Sequence, residues 1–213
     1  MPRPVLHDYF RSSAAYRVRI ALNLKKVDYE SRQVDLRAGE QKSVEYRALN
    51  PQGFVPMLEI DDRRLTQSLS IMVYLDQRFP EPRLIPADLG DGAHVRAMAM
   101  AIASDIHPLN NLRVLKYLTG TLHLDEAAKD AWYAHWITEG FAALEAMAQQ
   151  RSGGFLFGNT PTLADVCLVP QMYNARRFNV PLDAYPTLLR ADASANALPA
   201  FADAHPDKHG SAQ

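Results

Sequence analysis

The chain has 213 residues, 47% of them hydrophobic, enough for one large domain or two small ones and unlike the composition of a disordered protein. Its 23 basic and 24 acidic side chains leave a formal net charge of -1, which gives no electrostatic footprint for nucleic acid or for an anionic membrane surface. A single cysteine, Cys167, excludes an intrachain disulfide, and no uncharged apolar run reaches bilayer length. With no apolar leader after Met1-Pro2-Arg3-Pro4, the expectation is a cytoplasmic protein.

Val5 to Phe10 reads as a short strand, followed by a helix from about Ser13 to Lys25. In that helix Ala14, Val18, Ala21 and Leu22 share one face, with Arg17, Arg19 and Lys25 elsewhere. Tyr29 to Leu36 alternates loosely as a second strand. Met57 to Asp62 and Arg64 to Thr66 form a hairpin turning at Asp61-Asp62-Arg63. Ser68 is placed to cap a helix that carries Ile71, Met72, Leu75 and Phe79 inward. Strand, helix, strand, helix, hairpin, helix is a thioredoxin-like order. The prolines at 80 and 82 end the last helix, and from Asp88 onward the period is helical. Val95, Met98, Ala99, Ile102 and Ile106 make one apolar stripe, and Trp132, Trp136, Leu144 and Met147 belong to a second long helix. Thr162-Leu163-Ala164-Asp165 is a capping box, Pro170 falls inside the helix it opens, and the tail after His205 is expected to be loose. The reading is therefore an α/β domain over residues 1–81 and an all-α domain over 88–213.

Familiar catalytic signatures are missing: no Cys-x-x-Cys, no His-Glu-x-x-His, no phosphate-binding loop, no Gly-x-Ser-x-Gly. The seven histidines show no metal-ligand spacing, so no metal is expected. A thioredoxin-like half without a redox pair implies that any reactive thiol comes from a ligand. The first strand-to-helix junction, Tyr9 to Leu22, is where such a thiol would be held. A helix N-terminus offers unpaired N–H groups and a positive dipole end, and a serine hydroxyl beside it favours a thiolate. The same serine, Ser12 or Ser13, also fits a plain helix cap.

Ser12-Ser13-Ala14-Ala15-Tyr16-Arg17-Val18-Arg19-Ile20-Ala21-Leu22 resembles the Ser-Ser-Cys-x-x-Arg-Val-Arg-Ile-Ala-Leu signature of zeta-class glutathione transferases. The resemblance continues in order through Ala48 to Pro51, Val55-Pro56, Gln67-Ser68, Asp105 to Pro108, Leu168 to Gln171 and Ala175 to Phe178. It implies the glutathione transferase fold, a thioredoxin-like glutathione-binding domain followed by an all-helical substrate-binding domain, in a homodimer. It places glutathione against Ser12, Ser13, Gln41, Val55, Gln67, Ser68, His107, Asn111 and Arg113, with Val55-Pro56 cis. Catalysis is implied at Ser12, Ser13 and Arg11, and a dicarboxylate-type substrate at Arg11, His107, Arg113 and Arg176, since arginine's planar fork suits carboxylates. Taken without the resemblance, each arginine fits a solvated helix face and His107 a core histidine. The departure is Ala14, where the family commonly has cysteine.

The activity implied is glutathione-dependent cis–trans isomerisation of maleylacetoacetate to fumarylacetoacetate in tyrosine and phenylalanine breakdown. Maleylpyruvate isomerisation is the near alternative. A conjugating or dehalogenating transferase is a further one, and a non-enzymatic ligand-binding protein is disfavoured by the intact serines and arginines.

Overall fold

The computed structural model describes residues 2–210. In chain order it runs β1 (Val5–Asp8), α1 (Ser13–Leu24), β2 (Glu30–Gln33), α2 (Val44–Leu49), β3 (Met57–Ile60), β4 (Arg63–Thr66) and α3 (Ser68–Arg78). Helices follow: α4 (Leu89–Met100), α5 (His107–Leu109), α6 (Leu112–Gly120), α7 (Glu126–Gln149), α8 (Leu163–Arg177), α9 (Pro186–Asn196), α10 (Pro199–Ala202) and α11 (Pro206–His209). The chain forms two units: one runs up to Arg83 and takes back the segment from Leu198 onward, and the other is Leu84–Ala197. Among the described residues no helix is long and apolar enough to cross a membrane.

In the first unit the sheet order is β2-β1-β3-β4, with β1 parallel to β2 and antiparallel to β3. Leu6 sits opposite Leu58, and Leu58 opposite Leu65, so one apolar row crosses three strands. The expected strand Val5 to Phe10 stops at Asp8, because Ser12 N donates to Tyr9 O at 2.8 Å and turns the chain into α1. β2 is likewise shorter than the expected Tyr29 to Leu36, and all four of its residues are exposed, as suits a charged edge strand. The hairpin turns on Asp61 and Asp62 alone, with φ of 49° and 58°, a left-handed pair that aspartate tolerates.

α1 departs from its helical-wheel reading. Arg17, Arg19 and Lys25, expected off the apolar face, are 1%, 0% and 6% exposed, so the helix is buried all round. Burial of charge requires partners. Arg19 Nη1 meets both oxygens of Asp8 at 2.8 and 2.9 Å, its Nη2 donates to Phe10 O and its Nε to Ala204 O. Lys25 Nζ pairs with Asp76 at 2.7 Å and donates to Pro82 O. Asp8 lies on β1, Asp76 on α3 and Ala204 in the returning C-terminal segment, distances along the chain that no helical wheel spans.

Residues 199–209 are not loose: α10 and α11 pack in the first unit, with Phe201 and Ala204 fully buried. The last three residues of the expected loose tail lie outside the described residues. Ser68 is the first helical residue of α3 and not its cap; Gln67 occupies that place with φ 66°. Phe79, expected inward, is only half-buried where α3 ends.

In the second unit the expected stripe is buried throughout, from Val95 to Ile106, although Ala101–Ile106 winds as a π-helix between α4 and α5. Beyond β4 the described residues form no strand, only a single bridge between Ser152 and Gly158. The capping box of α8 is formed: Asp165 Oδ2 accepts from Thr162 N at 2.8 Å and Oδ1 from Leu156 N at 2.8 Å. Most of α8, including Pro170 and Gln171, is buried, which makes it the central helix of this unit. Glu145 on α7, itself buried, accepts from Thr187 N and Leu188 N at 3.0 Å each and so caps α9 from outside it.

Candidate active site

The junction between β1 and α1 places Ser12 at the helix N-cap with extended backbone, φ -72° and ψ 117°. Its Oγ accepts from Ala15 N at 3.2 Å, and its carbonyl accepts from Tyr16 N at 2.8 Å. The cap bond uses a lone pair of the hydroxyl and leaves its hydrogen to be donated. The capping and thiolate roles of Ser12 are thus compatible through one oxygen. Ser13, by contrast, is the first helical residue and is buried. Arg11 is exposed, its guanidinium 5.0 Å from the centroid of the Phe10 ring. Arg19 holds this junction from below through Asp8 and the carbonyl of Phe10.

A continuous set of contacts joins that junction to the other candidates of the first unit. Arg17 Nη1 donates to Ser68 Oγ at 3.3 Å, linking α1 to the first residue of α3. The preceding residue, Gln67, donates from Nε2 to Gln52 Oε1 at 2.8 Å. Gln67 holds a positive φ, a conformation that costs a non-glycine residue free energy and gathers at functional sites. Two residues beyond Gln52 the chain is pinned at Phe54 O, which accepts from Tyr46 Oη at 2.7 Å and Asn50 Nδ2 at 2.8 Å. Val55 follows, buried, and its bond to Pro56 is cis, as the resemblance implies. Gly53, at φ 64°, lies so close to Gln41 that an added Cβ would sit 2.7 Å from Gln41 O. Among the described residues the buried Oε1 of Gln41 has no hydrogen-bond partner, so its amide keeps room for one more bond. Ser12, Ser68, Gln67, Val55 and Gln41 are therefore linked through neighbouring contacts within the first unit.

In the second unit His107, Asn111 and Arg113 share the break between α5 and α6. Half-buried His107 follows the π-helical segment, a kind of irregularity that recurs at functional sites. Asn111 caps α6, its Oδ1 accepting from Arg113 N at 3.1 Å, and Arg113 is exposed in the first turn of that helix. The last turn of α8 carries Arg176 and Arg177 side by side. Arg176 Nη2 pairs with Asp192 Oδ2 at 2.6 Å, and the Asp192 side chain is 3% exposed. Burial raises the Asp192 carboxyl above its ordinary range, and Arg176 opposes that rise. Arg177 sits 5.6 Å over the Phe178 ring, which stacks on Tyr133 at 3.6 Å. Burial drives the Tyr133 phenol far up, with the Arg177 charge pulling the other way. So the first arginine of the pair holds a buried carboxylate while its guanidinium stays half-exposed, and the second presents its charge beside an aromatic stack.

The family model for the glutathione S-transferase N-terminal domain matches residues 11–78, and that for the C-terminal domain matches residues 130–198. A Vibrio cholerae protein named probable maleylacetoacetate isomerase is 50% identical over 205 residues, covering 95% of each chain. This chain belongs to the glutathione S-transferase family. Among solved structures, one titled as the holo structure of maleyl pyruvate isomerase, a bacterial glutathione S-transferase in zeta class, superposes on this transferase with a TM-score of 0.96. It is 44% identical and covers 98% of this chain and 100% of its own. A maleylacetoacetate isomerase from Anaeromyxobacter dehalogenans, titled as having glutathione bound in its active site, reaches a TM-score of 0.88 at 44% identity, covering 99% and 98%.

Sequence reasoning missed three sets of contacts around the candidate residues of this transferase. Arg17 looked like a solvated charge, and only the fold shows it buried beneath Ser68. Tyr46 and Asn50 pin the Val55 loop through a backbone carbonyl, a pairing that leaves no spacing pattern. Arg176 pairs with Asp192, on a different helix. The adjacency of two arginines after buried Ala175 was the signal available.

Proposed function

We propose that this chain is a glutathione-dependent isomerase that converts maleylacetoacetate to fumarylacetoacetate, the cis-to-trans step of tyrosine and phenylalanine breakdown. The observation that carries the reading is Ser12: a half-buried hydroxyl at the N-cap of α1 whose acceptor side is used by Ala15 N and whose hydrogen is left to donate. The orphan amide end of Gln41, the strained Gln67 and the helix-opening Ser68 fit a peptide-like ligand with carboxylate ends. The chemistry glutathione supplies when bound is reversible thiolate addition to the cis double bond, which allows rotation before elimination leaves the trans isomer.

The chain's own residues do the rest. Ser12 Oγ donates to the ligand sulfur and, with the N–H groups of the first turn of α1, favours its ionised form. Ser13 shapes that turn from inside. Val55 offers its backbone to the ligand's peptide groups, and Gln41, Gln67 and Ser68 hold its ends. His107, Asn111 and Arg113 also serve glutathione on this reading, and Arg11, His107, Arg113 and the end of α8 receive the substrate's carboxylates and the charge that develops next to the double bond. At α8 the candidate is Arg176, whose half-exposed guanidinium keeps donors beyond the one on Asp192, with exposed Arg177 beside it. Residues 1–81 are on this reading the glutathione-binding part, and the helices from residue 88 up to Asn196 the substrate-binding part, since the segment from Leu198 onward belongs to the first unit. Ala14 leaves the serine-based route without a protein thiol, so every step is assigned to the ligand's sulfur. A cytoplasmic homodimer belongs to the same reading, and exposed Leu89 and Met100 on α4 offer apolar surface for a second copy.

Maleylpyruvate is the second reading, favoured by the likeness to the structure titled as maleyl pyruvate isomerase. The test is to supply glutathione far below substrate and follow both maleyl compounds and the thiol titre. An isomerase turns over many equivalents with the thiol undiminished, and the faster substrate names the enzyme. Stoichiometric loss of thiol would identify a conjugating transferase and overturn the reading.

A further inference from the structure

Buried cations on α1 and at its C-cap neutralise carboxylates, Arg19 with Asp8 and Lys25 with Asp76. Arg17 lies 1% exposed and directs Nη1 at Ser68 Oγ, 3.3 Å away. Ser68 is itself buried and opens α3, where unpaired N–H groups and the helix dipole favour an anion. A guanidinium has five donors and no acceptor, so it can meet only a lone pair of the hydroxyl. Among the described residues Ser68 Oγ meets no other side chain. Its hydrogen is therefore turned away from Arg17 and left for an acceptor elsewhere.

We propose that Arg17 is a positioning residue for glutathione, orienting and polarising the Ser68 hydroxyl as the donor to the ligand's γ-glutamyl carboxylate. This rests on the assignment of Ser68 to glutathione made above. A fixed positive charge behind a hydroxyl strengthens it as a donor, and in a buried setting that charge is weakly screened. Arg17 touches the ligand only through Ser68. Its effect on affinity must therefore vanish when Ser68 is removed.

The experiment is a double-mutant cycle read by calorimetric titration with glutathione, using the full chain. Ser68→Ala is expected to weaken binding by about tenfold to a hundredfold, the range for a charge-assisted bond. Arg17→Met is expected to weaken it about tenfold with Ser68 present and less than about twofold with Ser68→Ala, the non-additivity of a shared contact. Equal losses in both backgrounds would overturn the proposal. A second arm uses γ-aminobutyryl-cysteinyl-glycine, the analogue lacking that carboxylate, and Arg17→Lys, which keeps the buried charge without the planar fork. The variant should discriminate severalfold less between glutathione and the analogue, with analogue affinity unchanged. A parallel loss for both peptides would mean that Arg17 serves folding alone and would also overturn the proposal. If the unmodified chain binds neither peptide, the ligand assignment itself fails, an outcome distinct from additive losses.

Discussion

Ser12 caps the helix and, on the proposed reading, holds the ligand through the same oxygen, so the two duties separate on mutation. Ser12→Ala removes the acceptor for Ala15 N, which should lower stability by about 0.5–2 kcal/mol. It also removes the donor to the bound sulfur, so the bound thiol should titrate closer to the free value of about 8.5 and neutral-pH turnover should fall severely. Melting temperature and the pH–rate profile on one preparation check both. A variant that melts early but keeps its profile would leave Ser12 a cap only. The arginines at the end of α8 separate in the same way. Arg176→Ala should raise KM for the maleyl substrate, and Arg177→Ala should leave the melting temperature near normal. Arg176→Ala also strands Asp192, and the loss of stability should depend on pH. Burial holds the Asp192 carboxyl above its unfolded value, and removing Arg176 raises it further. A folded pKa above the unfolded one favours the fold in acid and loses that contribution as pH rises through it. The Arg176→Ala deficit should accordingly be small in acid and large at neutral pH in denaturant titrations. A pH-independent deficit would contradict the pairing.

The helices of the second unit meet through a few sites of close approach. A Cβ on Gly140 of α7 would lie 2.3 Å from Cγ1 of Ile106, an inner atom of that side chain. Gly to Ala in an exposed helix gains about 1 kcal/mol, but overpacking costs about 1–3 kcal/mol. The inner position of the clash lets the cost prevail, so Gly140→Ala should lower the melting temperature; a rise would mean that Ile106 yields freely. Asp165 gives this unit a pH dependence of its own. Burial pushes its carboxyl up to about 6 despite the donors from Leu156 and Thr162. Stability from this group is full below its unfolded value near 4 and is lost as pH rises through about 6. Asp165→Asn should flatten the slope of unfolding free energy between those limits. An unchanged slope would place the titration elsewhere.

At the scale of the molecule, the C-terminal segment is part of the first unit. Arg19 donates to Ala204 O, Asn23 to Ala200 O, and Phe201 is fully buried. Truncation after Ala197 removes these partners together. Losing a buried phenylalanine side chain alone costs about 3–5 kcal/mol. The truncated chain should therefore unfold at markedly lower denaturant and lose glutathione affinity with the loop that Arg19 steadies. A truncated chain with unchanged stability would show the segment to be dispensable.

The elements that local chemistry specifies were legible from the residues: the hairpin at Asp61-Asp62, the capping box at Thr162, the stripe from Val95 to Ile106. Their signals lie within a turn or two of chain, where spacing and side-chain reach decide the conformation. The Ser12 junction was legible for the same reason, with its alternatives open, because a strand meeting a helix exposes N–H groups whatever surrounds it. Tertiary structure alone decided the fate of the charges. Arg17, Arg19, Lys25 and Arg176 find Ser68, Asp8, Asp76 and Asp192 on other elements, from 11 to 51 residues away in three cases and 16 in the fourth. The free energy of a buried charge depends on which partner the fold brings within hydrogen-bond reach, and that is a property of packing that no local pattern encodes.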